Sequence, residues 1–180
     1  MTKTFLISDT HFGHAGVCHF TRADGSKLRP WTDPNEMDEA MIANWNNVVG
    51  HNDVVWHLGD VVINRKALKT LGRLNGRKKL VMGNHDIFRI QEYLEYFEDA
   101  KGFHKLDTFA LSHIPLHVDS VGRWATGNIH GHTHYQNVTK VDQYHQTVID
   151  PRYICVCVEQ INYTPMDFEE IRDKYKVDKT

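Results

Sequence analysis

The chain has 180 residues, a length that suits one domain with a substantial buried core. Hydrophobic residues make up 41% and charged residues 24%, ordinary for a globular protein, and a formal net charge of -2 excludes wholesale attraction to nucleic acid or an anionic membrane. Apolar runs such as Val54-Val55-Trp56 are far too short to span a bilayer, and Met1-Thr2-Lys3-Thr4 carries no signal-peptide pattern, so one cytoplasmic domain over 1–180 is expected.

Lys3 to Ser8 reads as a buried strand ending in a polar cluster at Asp9. Asp33-Pro34-Asn35-Glu36 predicts a helix start, with Asp33 as N-cap, Pro34 in the first turn and Glu36 closing a capping box. Met37, Met41, Trp45 and Val48 follow at helical spacing as a packing stripe that ends near Gly50. Asp53 to Leu58 is the next strand and delivers Gly59-Asp60. Arg65 to Leu74 reads as a helix, Lys78 to Met82 as a strand running into Gly83-Asn84-His85, and Ile87 to Phe97 as a helix. Strands are expected at Phe103 to Leu106, Thr108 to Leu111, Ala125 to His130 and Tyr153 to Val158, with a closing helix from Asp167 to Tyr175. Cys155 and Cys157 alternate along the last strand and read as small core residues, and with Cys18 they make no disulfide framework.

Thirteen histidines stand out against this background, because imidazole is the commonest metal-binding side chain. They concentrate in short blocks at strand ends: Asp9-Thr10-His11, Gly59-Asp60, Gly83-Asn84-His85-Asp86, His113, and Gly131-His132-Thr133-His134. In α/β folds function gathers at the carboxyl ends of strands. Carboxylates, imidazoles and one amide are together the ligand types of a two-metal hydrolytic site.

The five blocks in this order resemble the calcineurin-like metallophosphoesterases, and Asp9-Thr10-His11-Phe12-Gly13-His14 is similar to the small bacterial and phage-encoded members. The resemblance implies an α/β fold, the family's β-sandwich flanked by helices (αββα). It implies that Asp9, His11 and His134 bind one divalent ion, that Asn84, His113 and His132 bind a second, and that Asp60 bridges them. Manganese is favoured among manganese, iron, zinc, nickel and cobalt, since magnesium suits imidazole poorly. A bridging hydroxide would attack phosphorus in line, with His85 as the acid that protonates the leaving group. Val61-Val62-Ile63-Asn64 stands where the Ser/Thr protein phosphatases carry a second acidic residue, so that branch is disfavoured and Asp86 is expected to orient His85 instead.

The expected activity is a phosphoesterase, with phosphodiesters favoured over phosphomonoesters because no gap between blocks leaves room for a cap domain. The alternatives are a phosphomonoesterase, a nuclease on RNA or DNA, and a catalytically silent metal-binding scaffold. His14, Arg29 and His117 are candidates for touching the phosphate-ester substrate. His57 and His130 read as supporting or packed residues, and His19, His51, His104 and His145 as surface or structural. Arg65, Lys69 and Arg73, at i, i+4 and i+8, would form a basic stripe on one helix face able to meet nucleic acid. No membrane partner is expected, the oligomeric state stays open, and a phage-encoded chain would work in the host cytoplasm.

Overall fold

The computed structural model describes residues 2–174, so Tyr175, expected to end the closing helix, lies outside the described residues. Two sheets face each other. The first has the order β11-β1-β2-β3-β4, built from β1 (Thr4–Ile7), β2 (Val54–His57), β3 (Arg77–Val81), β4 (Asp99–Lys101) and β11 (Met166–Asp167). Its β1 to β4 run parallel and β11 closes the edge antiparallel. The second has the order β10-β7-β6-β5, from β5 (His104–Leu106), β6 (Phe109–Ser112), β7 (Gly127–His130) and β10 (Tyr153–Cys155). A separate hairpin joins β8 (Thr139–Val141) to β9 (Thr147–Ile149).

Side-chain alternation along the first sheet divides the core in two. Phe5, Ile7, Val55 and Leu80 face a cluster completed by Met37, Met41 and Trp45 of α1 (Pro34–Val48) and by Leu68 and Leu71. Leu6, Trp56 and Val81 point the other way and meet Phe109, Leu111, Ile129 and Ile154 of the second sheet. Phe168 and Ile171 of α3 (Phe168–Lys174) complete this inter-sheet layer. The β-sandwich with helices expected from the sequence is the fold observed.

Several elements differ locally. Asp33 caps α1 by accepting the Asn35 N–H, and Glu36 stays exposed without closing a box. Val48 is exposed at the end of the predicted stripe, and Val49, beyond the helix, is buried in its place. The helix expected at Ile87 to Phe97 shrinks to α2 (Ile90–Leu94), which starts after an extended Arg89 whose N–H donates to the Glu92 carboxylate at 3.1 Å. β10 stops at Cys155, after which Val156 donates to His130 O at 2.9 Å while its own carbonyl accepts from Ser8 N at 2.8 Å. That residue ties the end of β7 to the end of β1, which is how the two sheets deliver their loops to one place.

Residues Arg65–Arg73 form a 3-10 helix rather than an α-helix. At about three residues per turn, positions four apart are rotated by roughly 120°, so Arg65, Lys69 and Arg73 fan out and the basic stripe does not form. Arg65 pairs with Glu92 at 2.9 Å, and Arg73 grips Glu39 with both terminal nitrogens. Among the described residues no helix is long and apolar enough to cross a membrane.

Candidate metal centre

The centre lies at the carboxyl ends of β1, β2, β3, β6 and β7, where each strand is followed by one of the sequence blocks. Asp9 follows β1 and is fully buried. Its Oδ2 is held by Ser8 Oγ at 2.6 Å, His132 N at 2.9 Å and the Cys157 thiol at 3.2 Å. Its Oδ1 has no hydrogen-bond partner, although a buried carboxylate oxygen is costly to leave bare. That oxygen lies 3.8 Å from His11 Nε2 and 3.9 Å from His134 Nε2. Metal–ligand bonds of roughly 2.0–2.2 Å allow ligands of one ion to stand at about these separations, so the three atoms fit a divalent cation between them. Asp9, His11 and His134 form one candidate metal group.

Asp60, His113 and His132 form the other. Asp60 Oδ1 accepts the His85 backbone N–H at 2.8 Å, which aims Oδ2 into the centre. Oδ2 lies 3.6 Å from His11 Nε2 and 3.5 Å from His113 Nε2, common to both groups. His113 donates through Nδ1 to Leu58 O at 2.7 Å, leaving the Nε2 lone pair to face Asn84 Oδ1 at 2.9 Å. Nε2 can meet that amide oxygen either as a protonated donor or by sharing a cation with it. Burial opposes charge on His113, but the Asp60 and Asp9 carboxylates overcome it and raise its pKa to about 9. Burial likewise pulls Asp60 up, but His113 and the His85 N–H hold it down at about 2. The pocket is electrostatically built for a cation.

The backbone bears a cost to gather these groups. Asp9, His11, Asp60, His132 and His134 all adopt left-handed conformations, with φ of 59°, 49°, 56°, 69° and 51°. Such geometry costs about 1–3 kcal/mol per non-glycine residue and persists where surrounding bonds over-determine it. It turns each side chain off its strand toward a shared point. The motif glycines permit the close approach: a Cβ on Gly131 would stand 2.0 Å from Ser8 Oγ, and one on Gly83 would stand 2.2 Å from Asp60 Oδ1.

His85 sits at the rim, about half exposed, with Nε2 4.0 Å from Asp60 Oδ2 and its ring edge-on to His11. Asp86 does not orient it. The Asp86 carboxylate accepts the N–H groups of Asp60 at 2.8 Å, Val61 at 3.0 Å and Gly83 at 2.7 Å, so it clamps two loops together and has no oxygen turned to the His85 ring. His14 lies beside His11, ring centroids 5.8 Å apart, with Nδ1 accepting from Val17 N–H. Burial, followed by the Arg29 charge, lowers its pKa.

Arg29 is not a substrate contact. It is buried and binds Thr10 O at 2.8 Å, Asp9 O at 2.6 Å and Glu159 Oε1 at 2.7 Å, so its planar fork is consumed inside the protein. His117 is not gathered in either. Its exposed ring caps the 3-10 helix Val118–Ser120 and faces Asp119. His57, wholly buried, accepts from Gly59 N–H and meets Thr10 Oγ1 at 3.0 Å, while His130 meets Gly131 O at 2.8 Å. Both support the loops, as expected.

Sequence reasoning missed Glu159. Its buried carboxylate stands 3.1 Å from His134 Nδ1 and also holds Arg29, linking a candidate ligand to the backbone of Asp9 and Thr10. It missed Ser8 and assigned Cys157 only to the core, whereas both hold Asp9. None lies in a block of metal-type residues, so no local signal marked them.

A model of the calcineurin-like phosphoesterase family matches residues 2–174. The chain belongs to this family. This calcineurin-like phosphoesterase is 36% identical over 186 residues to an uncharacterised protein of Methanocaldococcus jannaschii, covering 95% of this chain and 90% of that one. It is 30% identical over 207 residues to the Gene 66 protein of Mycobacterium phage D29, covering 96% of both. A solved structure of an Aquifex aeolicus protein of unknown function superposes with a TM-score of 0.69 at 26% identity, covering 97% of this chain and all of that one. Membership implies a hydrolase of phosphate esters, and the two candidate metal groups agree with that chemistry.

Proposed function

We propose that the phosphoesterase is a dinuclear metal-dependent enzyme that hydrolyses phosphodiesters in preference to phosphomonoesters. The observation that carries the dinuclear reading is Asp60 Oδ2, common to two groups of imidazole ligands, beside a buried Asp9 oxygen with no other partner. Asp9, His11 and His134 would hold one ion and Asn84, His113 and His132 the second, with Asp60 bridging. Bound there, divalent ions polarise phosphoryl oxygens and lower the pKa of water.

The chain's own residues do the rest. Because Asn84 and the imidazoles are uncharged ligands, two carboxylates do not cancel two divalent ions, and the centre keeps an attraction for phosphate. His85, at the exposed rim with Nε2 4.0 Å from Asp60 Oδ2, would give the leaving oxygen its proton. His14 flanks the same rim and is the remaining histidine candidate for substrate contact. Mixed nitrogen and oxygen ligation suits manganese, iron, zinc, nickel or cobalt, and manganese is the ion favoured for the test. The open rim favours diesters, and dispersal of Arg65, Lys69 and Arg73 weighs against a nuclease.

The test is to strip metal, restore manganese, and assay bis-p-nitrophenyl phosphate against p-nitrophenyl phosphate. Metal-dependent turnover, faster on the diester and lost in Asp60→Asn, is expected. If wild type and Asp60→Asn alike show no metal-dependent turnover on either ester, the scaffold reading replaces this one. His85→Ala should impair esters with poor leaving groups most, and unchanged turnover of those esters would remove the acid role.

A further inference from the structure

A cleft of about 390 Å³ opens beside the Asn84–His113 side of the centre. It lies between the carboxyl ends of β3, β4 and β6 and is lined by Met82, Asn84, Gly102, His113, Ile114 and Leu116. We propose that this cleft is a subsite for an uncharged apolar or aromatic ester substituent, the one that stays on phosphorus when the leaving group departs. The inference rests on the phosphodiesterase reading and names the substrate feature that reading leaves open.

Continuity with the centre carries the placement, because Asn84 and His113 belong to both the cleft wall and the second candidate ligand set. A phosphoryl group held there has the cleft as its immediate neighbour. The chemistry of the wall selects the occupant. Met82, Ile114 and Leu116 are apolar, no Lys, Arg, Asp or Glu lines the cleft, and the Ser112 hydroxyl at its edge is already bonded to Ile114 O at 2.7 Å. A second phosphate or a carboxylate would find no Lys or Arg to pair with in the outer wall formed by Met82, Ile114 and Leu116, whereas a ring or alkyl group would cover exposed apolar surface, Ile114 being 54% accessible. His85, positioned for the leaving oxygen, is absent from the wall, so the occupant is the retained substituent. The volume lies at the small end of ligand clefts, roughly 300–1,000 Å³, which suits one ring-sized group rather than a polymer.

The test compares phenyl p-nitrophenyl phosphate with methyl p-nitrophenyl phosphate, which share a leaving group and differ only in what stays on phosphorus. In the manganese-loaded protein the phenyl ester should be favoured in kcat/KM, and Ile114→Asn should reduce the phenyl-to-methyl ratio about tenfold. Taking the ratio of variant to wild type cancels the intrinsic reactivity of the two esters. Calorimetric binding of phenylphosphonate and methylphosphonate provides a readout independent of turnover, with phenylphosphonate about tenfold tighter in wild type. If no ester is turned over, the phosphoesterase reading fails while the phosphonates still decide the cleft. Equal binding of the two phosphonates, or an unchanged phenyl-to-methyl ratio in Ile114→Asn, overturns the subsite.

Discussion

His134 and Glu159 are joined by a 3.1 Å hydrogen bond from the ring Nδ1 to a buried carboxylate, on the side of the imidazole opposite its Asp9-facing Nε2. The bond sets the tautomer that leaves Nε2 free for an ion. The same carboxylate neutralises Arg29, whose guanidinium holds the Asp9 and Thr10 carbonyls. Glu159→Ala should therefore act twice. It strands a buried cation, expected to cost about 3–5 kcal/mol in chemical denaturation. It also releases the His134 ring, expected to weaken manganese binding by about 10–100-fold. A Glu159→Ala protein with the wild-type unfolding midpoint and metal affinity would remove this account.

Asp86 makes a contrasting prediction. Its two oxygens receive three backbone N–H groups, and asparagine offers only one oxygen. Asp86→Asn should lose about 1–3 kcal/mol in urea unfolding, while turnover of esters with poor leaving groups should fall far less than in His85→Ala. A poor-leaving-group defect matching that of His85→Ala, with unchanged stability, would restore the orienting role expected from the sequence.

The two final histidines should lose different ions. His134 belongs with Asp9 and His11, and His132 with Asp60 and His113. Elemental analysis after manganese loading should find one ion fewer per chain in His134→Ala and in His132→Ala. The paramagnetic resonance spectrum of the ion that remains should differ between the two variants, and identical spectra would mean that both lose the same ion. If either variant retains the full complement, the division between the two groups is wrong.

Acid should destabilise the protein partly through His57. Burial holds its pKa down at about 3, far below the ordinary value of about 6.5. The unfolded chain therefore binds a proton that the folded one refuses. Stability from this group is complete above about pH 6.5 and declines as pH falls toward the folded value. Between about pH 7 and pH 4.5 the loss should be about 3 kcal/mol. Gln at this position can accept from Gly59 N–H and donate to Thr10 without titrating. His57→Gln should therefore show that much less loss over the same interval by urea titration. An equal loss in both proteins would show that His57 is not a source of the acid sensitivity.

The sequence alone determined the strand ends and what they carry. Its short apolar runs at β1, β2, β3, β6 and β7 stop at the blocks that become Asp9, Asp60, Asn84, His113 and the His132–His134 pair, because hydrophobic runs and turn chemistry are local properties. It also carried the family resemblance that the comparison bears out. Tertiary structure decided everything that depends on which residues meet. Arg29 and His117 read as free polar groups until folding buried the first against Glu159 and left the second on a surface turn. Asp86 adjoins His85 in the chain yet serves the Asp60 backbone, because its carboxylate turns toward three N–H groups. Glu159 lies 25 residues beyond His134, and the two meet only because the segment after β10 crosses from the second sheet to the first. Side-chain identity is written locally, but hydrogen-bond partnership across a sandwich is a property of the closed fold.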